Sequence, residues 1–366
     1  MARLAEAEIE CRAALSIDPT YAEAHSSLGD ILKNQRRMRE AEDSYRKALR
    51  LKPDFAEAHH NLSHLLLATG RLGEAWPEYE YRFQATALSR LPFVDALPRW
   101  TGQAAQTGDR LLVLKEQGLG DKLQFARYLP LAAERFVDGV SMVVDRSLLT
   151  LFRRSFPNVE FLEVVADTVA WQWQCPLLSL PLAFGTTLET IPRRVPYLVP
   201  DPLRTAYWKS RIDALGLPAA QRKIGIVWKP GTGLRNAALR SLSLHQLGRL
   251  FDLPGCAWFS LQKEPDPDKA PWVTSAKMID WADEFVDFDE TAAIAAHLDL
   301  IISVDTAMAH LAGALGRPTW LLNRHASEWR WLLDRNDSPW YPTMRIFTQE
   351  PAADWDGVVA RLAAEL

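Results

Sequence analysis

The sequence predicts an all-helical repeat array followed by an α/β region of two Rossmann-like domains facing a cleft. Three observations carry this. A 34-residue period runs through the first part of the chain, and short apolar runs of strand length then alternate twice over with helical stretches. One of those runs, Leu298 to Val304, passes directly into a helix whose first turn is built from small side chains.

The period comes first. Asp18-Pro19-Thr20-Tyr21-Ala22-Glu23-Ala24-His25 returns as Pro53-Asp54-Phe55-Ala56-Glu57-Ala58-His59, with Pro53 following Pro19 by 34 residues. Ala7-Glu8, Ala41-Glu42 and Glu74-Ala75 keep the same offset. Small residues where helices cross and a proline between units make this the tetratricopeptide signature. It places helices at roughly 4–16, 20–33, 37–51, 54–68 and 71–83, stacked with a concave face that holds partners and does no chemistry. Met1 falls in what reads as a second helix, so the array reads as one shortened at its N-terminus.

Residues 88–109 break the period and read as a connector. A buried strand follows at Arg110 to Lys115, then the turn Glu116-Gln117-Gly118-Leu119-Gly120-Asp121 and a helix from Lys122 to Phe136, bent at Pro130. The turn is not a dinucleotide fingerprint, because Leu123 stands where the third glycine is needed. Strands near 139–144 and 159–164 and a helix near 148–154 continue the alternation, while residues 175–187 resist assignment by pattern. A helix at 204–215 leads out of the first α/β domain. Lys223 to Trp228 opens the second, followed by the glycine-rich turn Lys229-Pro-Gly-Thr-Gly233, which lacks the Gly-Lys-Ser/Thr of a P-loop. Arg240-Ser-Leu-Ser-Leu begins the next helix; further strands fall at 257–261, 298–304 and 319–322, helices at 290–297 and 354–366. The boundaries are thus 1–87 repeats, 88–109 connector, 110–203 and 204–353 Rossmann-like domains, and 354–366 a closing helix.

The counts of 42 basic and 46 acidic residues argue against a nonspecific nucleic-acid binder, and the basic run Arg36 to Arg39 lies inside a repeat. No apolar run reaches membrane-spanning length and no signal-peptide pattern opens the chain, so residence in the cytoplasm is expected. The cysteines Cys11, Cys175 and Cys256 are scattered and read as buried thiols. Fourteen tryptophans, most of them after residue 170, read as packing residues; Trp329, Trp331, Trp340 and Tyr341 are expected between the second domain and the closing helix.

Chemistry concentrates at residues 298–318. Asp305 or Thr306 can cap the helix after the strand, and the helix start offers unpaired N–H groups and a positive dipole end to an anion. Thr306 and His310, four apart, share a face of that helix. Taken singly, Asp305 reads as a cap and His310 as a core histidine. Together, at the carboxyl end of a buried strand, they indicate a nucleoside diphosphate site.

Lys115 with Gly120-Asp121, Arg240-Ser-Leu, and Ser303-Val-Asp-Thr-Ala-x-Ala-His310-Leu-Ala-Gly-Ala-Leu resemble the heptosyltransferase-like glycosyltransferases of family nine, which have the GT-B fold. With the repeats, the layout is similar to bacterial repeat-plus-glycosyltransferase proteins. The resemblance implies that the first Rossmann-like domain serves the acceptor and the second the nucleotide sugar. It implies Asp121 as the base that deprotonates the acceptor hydroxyl, and Asp305, Thr306, Ala307 and His310 as contacts to donor sugar and diphosphate, Ala307 standing where the family has glycine. Arg240 falls where a basic residue binds donor phosphate, and the 262–264 loop where the nucleoside is held, which brings in Gln262 and Lys263 beside Lys229 and Thr232 of the glycine-rich turn. No metal or other cofactor is expected; Asp266-Pro-Asp268 has the letters of a metal motif in a loop read as exposed. Asp305, beside a phosphate, is expected to turn toward sugar hydroxyls or backbone donors. Asp121 reads equally as a helix cap. The favoured function is an inverting, metal-independent transfer from a nucleotide sugar to a protein or glycan held by the repeats; the alternative is a repeat scaffold whose α/β part binds nucleotide sugar weakly or not at all.

Overall fold

The computed structural model describes residues 2–86, 97–231, 237–350 and 353–366. The repeats form five helices, α1 (Ala2–Ile17), α2 (Ala22–Asn34), α3 (Met38–Leu51), α4 (Ala56–Ala68) and α5 (Leu72–Tyr79), and a short α6 (Arg82–Ala85). The period is visible in side-chain contacts. His25 and His59 each bring Nε2 to the carbonyl of the proline six residues earlier, at 3.0 and 2.8 Å. Arg37 pairs with Glu8 and Glu40 at 2.7 and 2.6 Å, and 34 residues on Arg71 pairs with Glu42 and Glu74 at the same distances. Gly29 lets the Tyr45 ring lie where a Cβ would sit 2.6 Å from it. The fifth helix stops short of the expected residue 83: it ends at Tyr79, and the chain turns at Glu80 and Tyr81 before α6.

The first α/β half contains β1 (Leu111–Leu114), α7 (Leu119–Phe125), α8 (Leu129–Arg135), β2 (Val140–Val143), α9 (Arg146–Ser155), β3 (Val159–Leu162), β4 (Trp173–Pro176) and α10 (Leu180–Ala183). Its strands are all parallel, in the order β3-β2-β1-β4. The helix expected over 122–136 is two helices joined by a 3-10 turn at residues 126–128, with Pro130 in the first turn of the second. The second half runs α11 (Pro202–Asp213), β5 (Arg222–Val227), α12 (Ala237–Arg240), α13 (Leu244–Phe251), β6 (Cys256–Ser260), α14 (Ala270–Thr274), β7 (Ile279–Asp280), α15 (Phe288–Ala295), β8 (Leu300–Val304), α16 (Ala307–Ala314), β9 (Thr319–Asn323), β10 (Met344–Thr348) and α17 (Trp355–Glu365). Its parallel sheet has the order β10-β9-β8-β5-β6-β7, so β8 lies in the middle and all five of its residues are buried. This is a helical array followed by a GT-B fold. Strand β10 was not expected. Arg240 ends the one-turn α12 instead of opening a helix; the next helix starts at Leu244 behind the Ser243 cap.

The repeats are packed onto the α/β region. Arg82, fully buried, pairs with Glu116 at 2.8 Å just past β1, and the Trp76 indole donates to the Thr186 carbonyl at 2.9 Å. A buried ion pair is a poor source of net stability, but losing one member leaves a stranded charge at a cost of about 3–5 kcal/mol. Helix α17 shares its core with α13 and the second sheet. The aromatics expected beneath it are elsewhere: Trp329 meets Trp76 and Tyr79 of the repeats edge-on at 6.0 Å, Trp340 meets Phe125 of α7 at 5.7 Å, and Trp331 and Tyr341 flank His310.

Candidate functional site

Two strand-to-helix turns meet across a cleft. In the first half the chain leaves β1, Gln117 takes a left-handed backbone (φ 57°), and Gly118 precedes α7. Asp121 is not the cap itself, which is Gly118, but the third residue of α7; its Oδ2 accepts the Gly118 N–H at 2.9 Å. Its other oxygen, Oδ1, is ion-paired with Arg330. In the second half Thr306 is the cap of α16, its hydroxyl accepting the Met308 N–H at 3.3 Å, which leaves Asp305 free of that duty.

The two helix starts touch. A Cβ on Gly120 would stand 2.8 Å from His310 Cδ2 and 3.5 Å from the Ala307 Cα, so the absent side chain is what permits α7 and α16 to cross so closely. His310 cannot move aside: its ring stacks on Trp331 at 5.0 Å and its Nδ1 lies 3.0 Å from the Tyr341 hydroxyl. Burial, with Arg330 and Arg127 nearby, holds its pKa well below the usual histidine range, so the ring is neutral near pH 7.

Beside this crossing lies a cavity of about 580 Å³ lined by residues of both halves, among them Asp121, Lys229, Arg240, Lys263, Asp305, Thr306, Ala307, His310, Glu328 and Arg330. That volume suits a nucleotide-sized ligand. The expected residues are thus brought together, with exceptions. Gln262 is buried and absent from the lining; its Oε1 accepts the N–H groups of Trp228 and Lys229 at 3.2 and 3.0 Å, a structural task that uses up the side chain. Lys229 lines the cavity, but its ammonium pairs with Asp266 at 2.7 Å. Asp266 is itself buried instead of exposed, because it also accepts the Trp228 indole N–H at 2.7 Å. Thr232 lies outside the described residues. Asp305 lines the cavity but turns to no backbone donor: Oδ1 accepts the Trp331 indole N–H at 3.0 Å and Oδ2 faces Arg240 Nη1 at 3.1 Å. Arg240, expected to await phosphate, is paired with that carboxylate, while its buried Nε has no partner.

Three contributors went unread in the sequence. Arg330, 7% exposed, joins Asp121 to Glu328 and lies over the Trp329 ring at 4.1 Å. Glu328 lines the cavity too, and burial pushes its carboxyl above the ordinary glutamate range despite Arg330. Arg324 follows β9 directly; it is not among the residues lining the cavity, but lies within electrostatic reach of Arg240, Asp305 and Glu328, which do line it. Its buried Nε has no partner, and burial followed by the like charge of Arg240 lowers its pKa. The signal for all three was a cluster of arginines and a glutamate, Arg324 to Arg330, within a stretch otherwise read as aromatic packing.

Two parallel-sheet halves with a ligand-sized cavity between them define a GT-B type of architecture. Residues 286–349 match glycosyltransferase family 9 (heptosyltransferase) and residues 22–55 match the tetratricopeptide repeat, so the chain joins a tetratricopeptide repeat to a segment of glycosyltransferase family 9 type. It is 33% identical over 317 residues to Protein FlbA of Caulobacter vibrioides, a match that takes in 80% of this chain and 52% of that protein. The chain therefore spans about half the length of that curated relative. Among solved structures it is similar to a glycosyl transferase family 9 protein from Veillonella parvula (11% identity, TM-score 0.46, 71% of this chain and 93% of that one). A second is the E. coli ADP-heptose lps heptosyltransferase II (13%, 0.45, 70% and 97%). Among the described residues no helix is long and apolar enough to cross a membrane, and no three His, Cys, Asp or Glu side chains are grouped to hold a metal ion.

Proposed function

We propose that the protein is an inverting glycosyltransferase that moves a sugar from a nucleoside-diphosphate sugar to a hydroxyl of a protein or glycan held by the repeats, in the cytoplasm. The observation that carries this reading is the single cavity that holds Asp121 of one half opposite Arg240, Thr306, Ala307 and the start of α16 in the other. Asp121 takes the proton of the acceptor hydroxyl, whose oxygen attacks the anomeric carbon as the bond to the diphosphate oxygen breaks. The leaving diphosphate gathers negative charge next to Arg240 and the N–H groups of the helix start, with Arg324 adding positive charge from behind. These cations take the electrostatic role that a divalent ion takes elsewhere. Asp305 holds Arg240 until the donor arrives, and the donor sugar then competes for its carboxylate. In this reading the domain borders are those expected from the sequence, with 110–203 serving the acceptor and 204–353 the donor, and Lys263 beside the nucleoside.

The competing reading, a repeat scaffold with poor nucleotide-sugar binding, draws on the internal pairing of Asp305 with Arg240 and on Ala307. Thermal shift with UDP-, GDP-, ADP- and dTDP-linked sugars, ADP-heptose among them, separates the two. A ligand at a hundredfold its Kd stabilises by about 2.7 kcal/mol, and release of nucleoside diphosphate from the same donor is expected. No shift with any donor favours the scaffold.

A further inference from the structure

The groups that hold the two cleft carboxylates are neighbours in sequence: Arg330 pairs with Asp121, and the Trp331 indole donates to Asp305. The segment that carries them is fastened from behind by the repeats. Leu333 donates its N–H to the Ala68 carbonyl at the end of α4 at 3.0 Å, and Arg36 pairs with Asp334. Trp329 lies edge-on to Trp76 and Tyr79, and Gly70 leaves room for Leu332, whose Cδ2 a Cβ there would meet at 3.3 Å. Leu332 and Asp334 both take left-handed backbone, φ 54° and 56°, which non-glycine residues rarely adopt and which persists only where surrounding contacts dictate it.

We propose that residues 328–334 form a strap braced by the repeats, and that its Arg330 is a positioning residue for Asp121. The proposal rests on Asp121 being the base. A base must be aimed, and the buried guanidinium does this: it holds Asp121 by one oxygen while Glu328 anchors it from its other nitrogen. The repeats then complete the active site besides delivering an acceptor to it.

The test uses the full chain and reads nucleoside diphosphate release from the UDP-, GDP-, ADP- and dTDP-linked sugars. Arg330→Met is expected to lower kcat about 100-fold with the donor KM within about threefold, and Arg330→Lys to restore part of it. Combined with Asp121→Asn, Arg330→Met is expected to cost nothing more, because the group it positions is already gone. Arg36→Glu, which sets like charge against Asp334 on the surface, is expected to lower kcat about fivefold at unchanged Tm. Equal losses from Arg330→Met in both backgrounds, or an unchanged kcat, overturn the positioning role. Unchanged kcat in Arg36→Glu overturns the bracing. If Arg330→Met does not fold, the same cycle with Arg330→Lys decides. Turnover that survives Asp121→Asn fails the base assignment separately, and no release from any donor by the unaltered chain removes both.

Discussion

Asp121 and Asp305 occupy corresponding places, each at the turn between a buried strand and a helix start, yet they are held differently. Asp305 takes both its side-chain partners, Trp331 and Arg240, from its own half. Asp121 takes a backbone N–H from its own turn and its charged partner, Arg330, from the opposite half. On the proposed reading the donor side is therefore preassembled, whereas the acceptor-side carboxylate takes its charged partner across the cleft. A substitution on one side should act on affinity, and on the other on turnover.

The largest effect is expected from Asp121→Asn, with kcat falling by about 10²–10⁴ and donor affinity kept. From the turn alone Asn should be harmless, since its amide oxygen can accept the Gly118 N–H as the carboxylate does. The ion pair changes that expectation: losing the carboxylate charge opposite a buried arginine should also cost about 1–3 kcal/mol in chemical denaturation. On the other side, Arg240→Met or Arg324→Met should weaken binding of inorganic pyrophosphate about tenfold or more in calorimetry while leaving the Asp121 contacts in place. Loss of affinity in Asp121→Asn equal to that in Arg240→Met would erase the distinction between the two sides.

Gly120→Ala tests the crossing that joins the sides. The added methyl meets His310, which Trp331 and Tyr341 hold in place, so α7 and α16 must separate. A stability loss of about 1–3 kcal/mol is expected, with a larger fall in kcat than in pyrophosphate affinity.

Much of this architecture was legible because periodicity is local. The 34-residue offset that predicts the helices also predicts the twin contacts of Arg37 and Arg71, and the apolar run of β8 is buried on both faces as its composition requires. Strand β10 escaped notice because Arg345, exposed at its second position, and the Trp-Tyr-Pro loop before it masked a short edge strand. Site residues were legible where strand, turn and helix follow one another, as at 303–310. Arg330 was not, since its partner lies 209 residues away and its neighbours are tryptophans. The same limit applies to Gln262, whose letters suit a ligand contact as well as the loop-bracing bond it makes.

The smallest effect expected is on the pH dependence of stability. Burial lowers the pKa of three histidines: His310 beside the cleft, and His60 and His64 on α4, with His60 brought down to about 4. Their unfolded values lie near 6.5, so between pH 6.5 and 4 the unfolded chain binds more protons and stability falls as pH falls. His60 faces Arg82, Lys33 and Asp30, while His64 faces His60, Lys33 and Arg330, so a proton on His64 adds like charge beside the strap. Urea midpoints at pH 7 and 5 should therefore drop less in His64→Gln than in the unaltered chain. Equal drops in both would show that His64 carries none of the acid sensitivity.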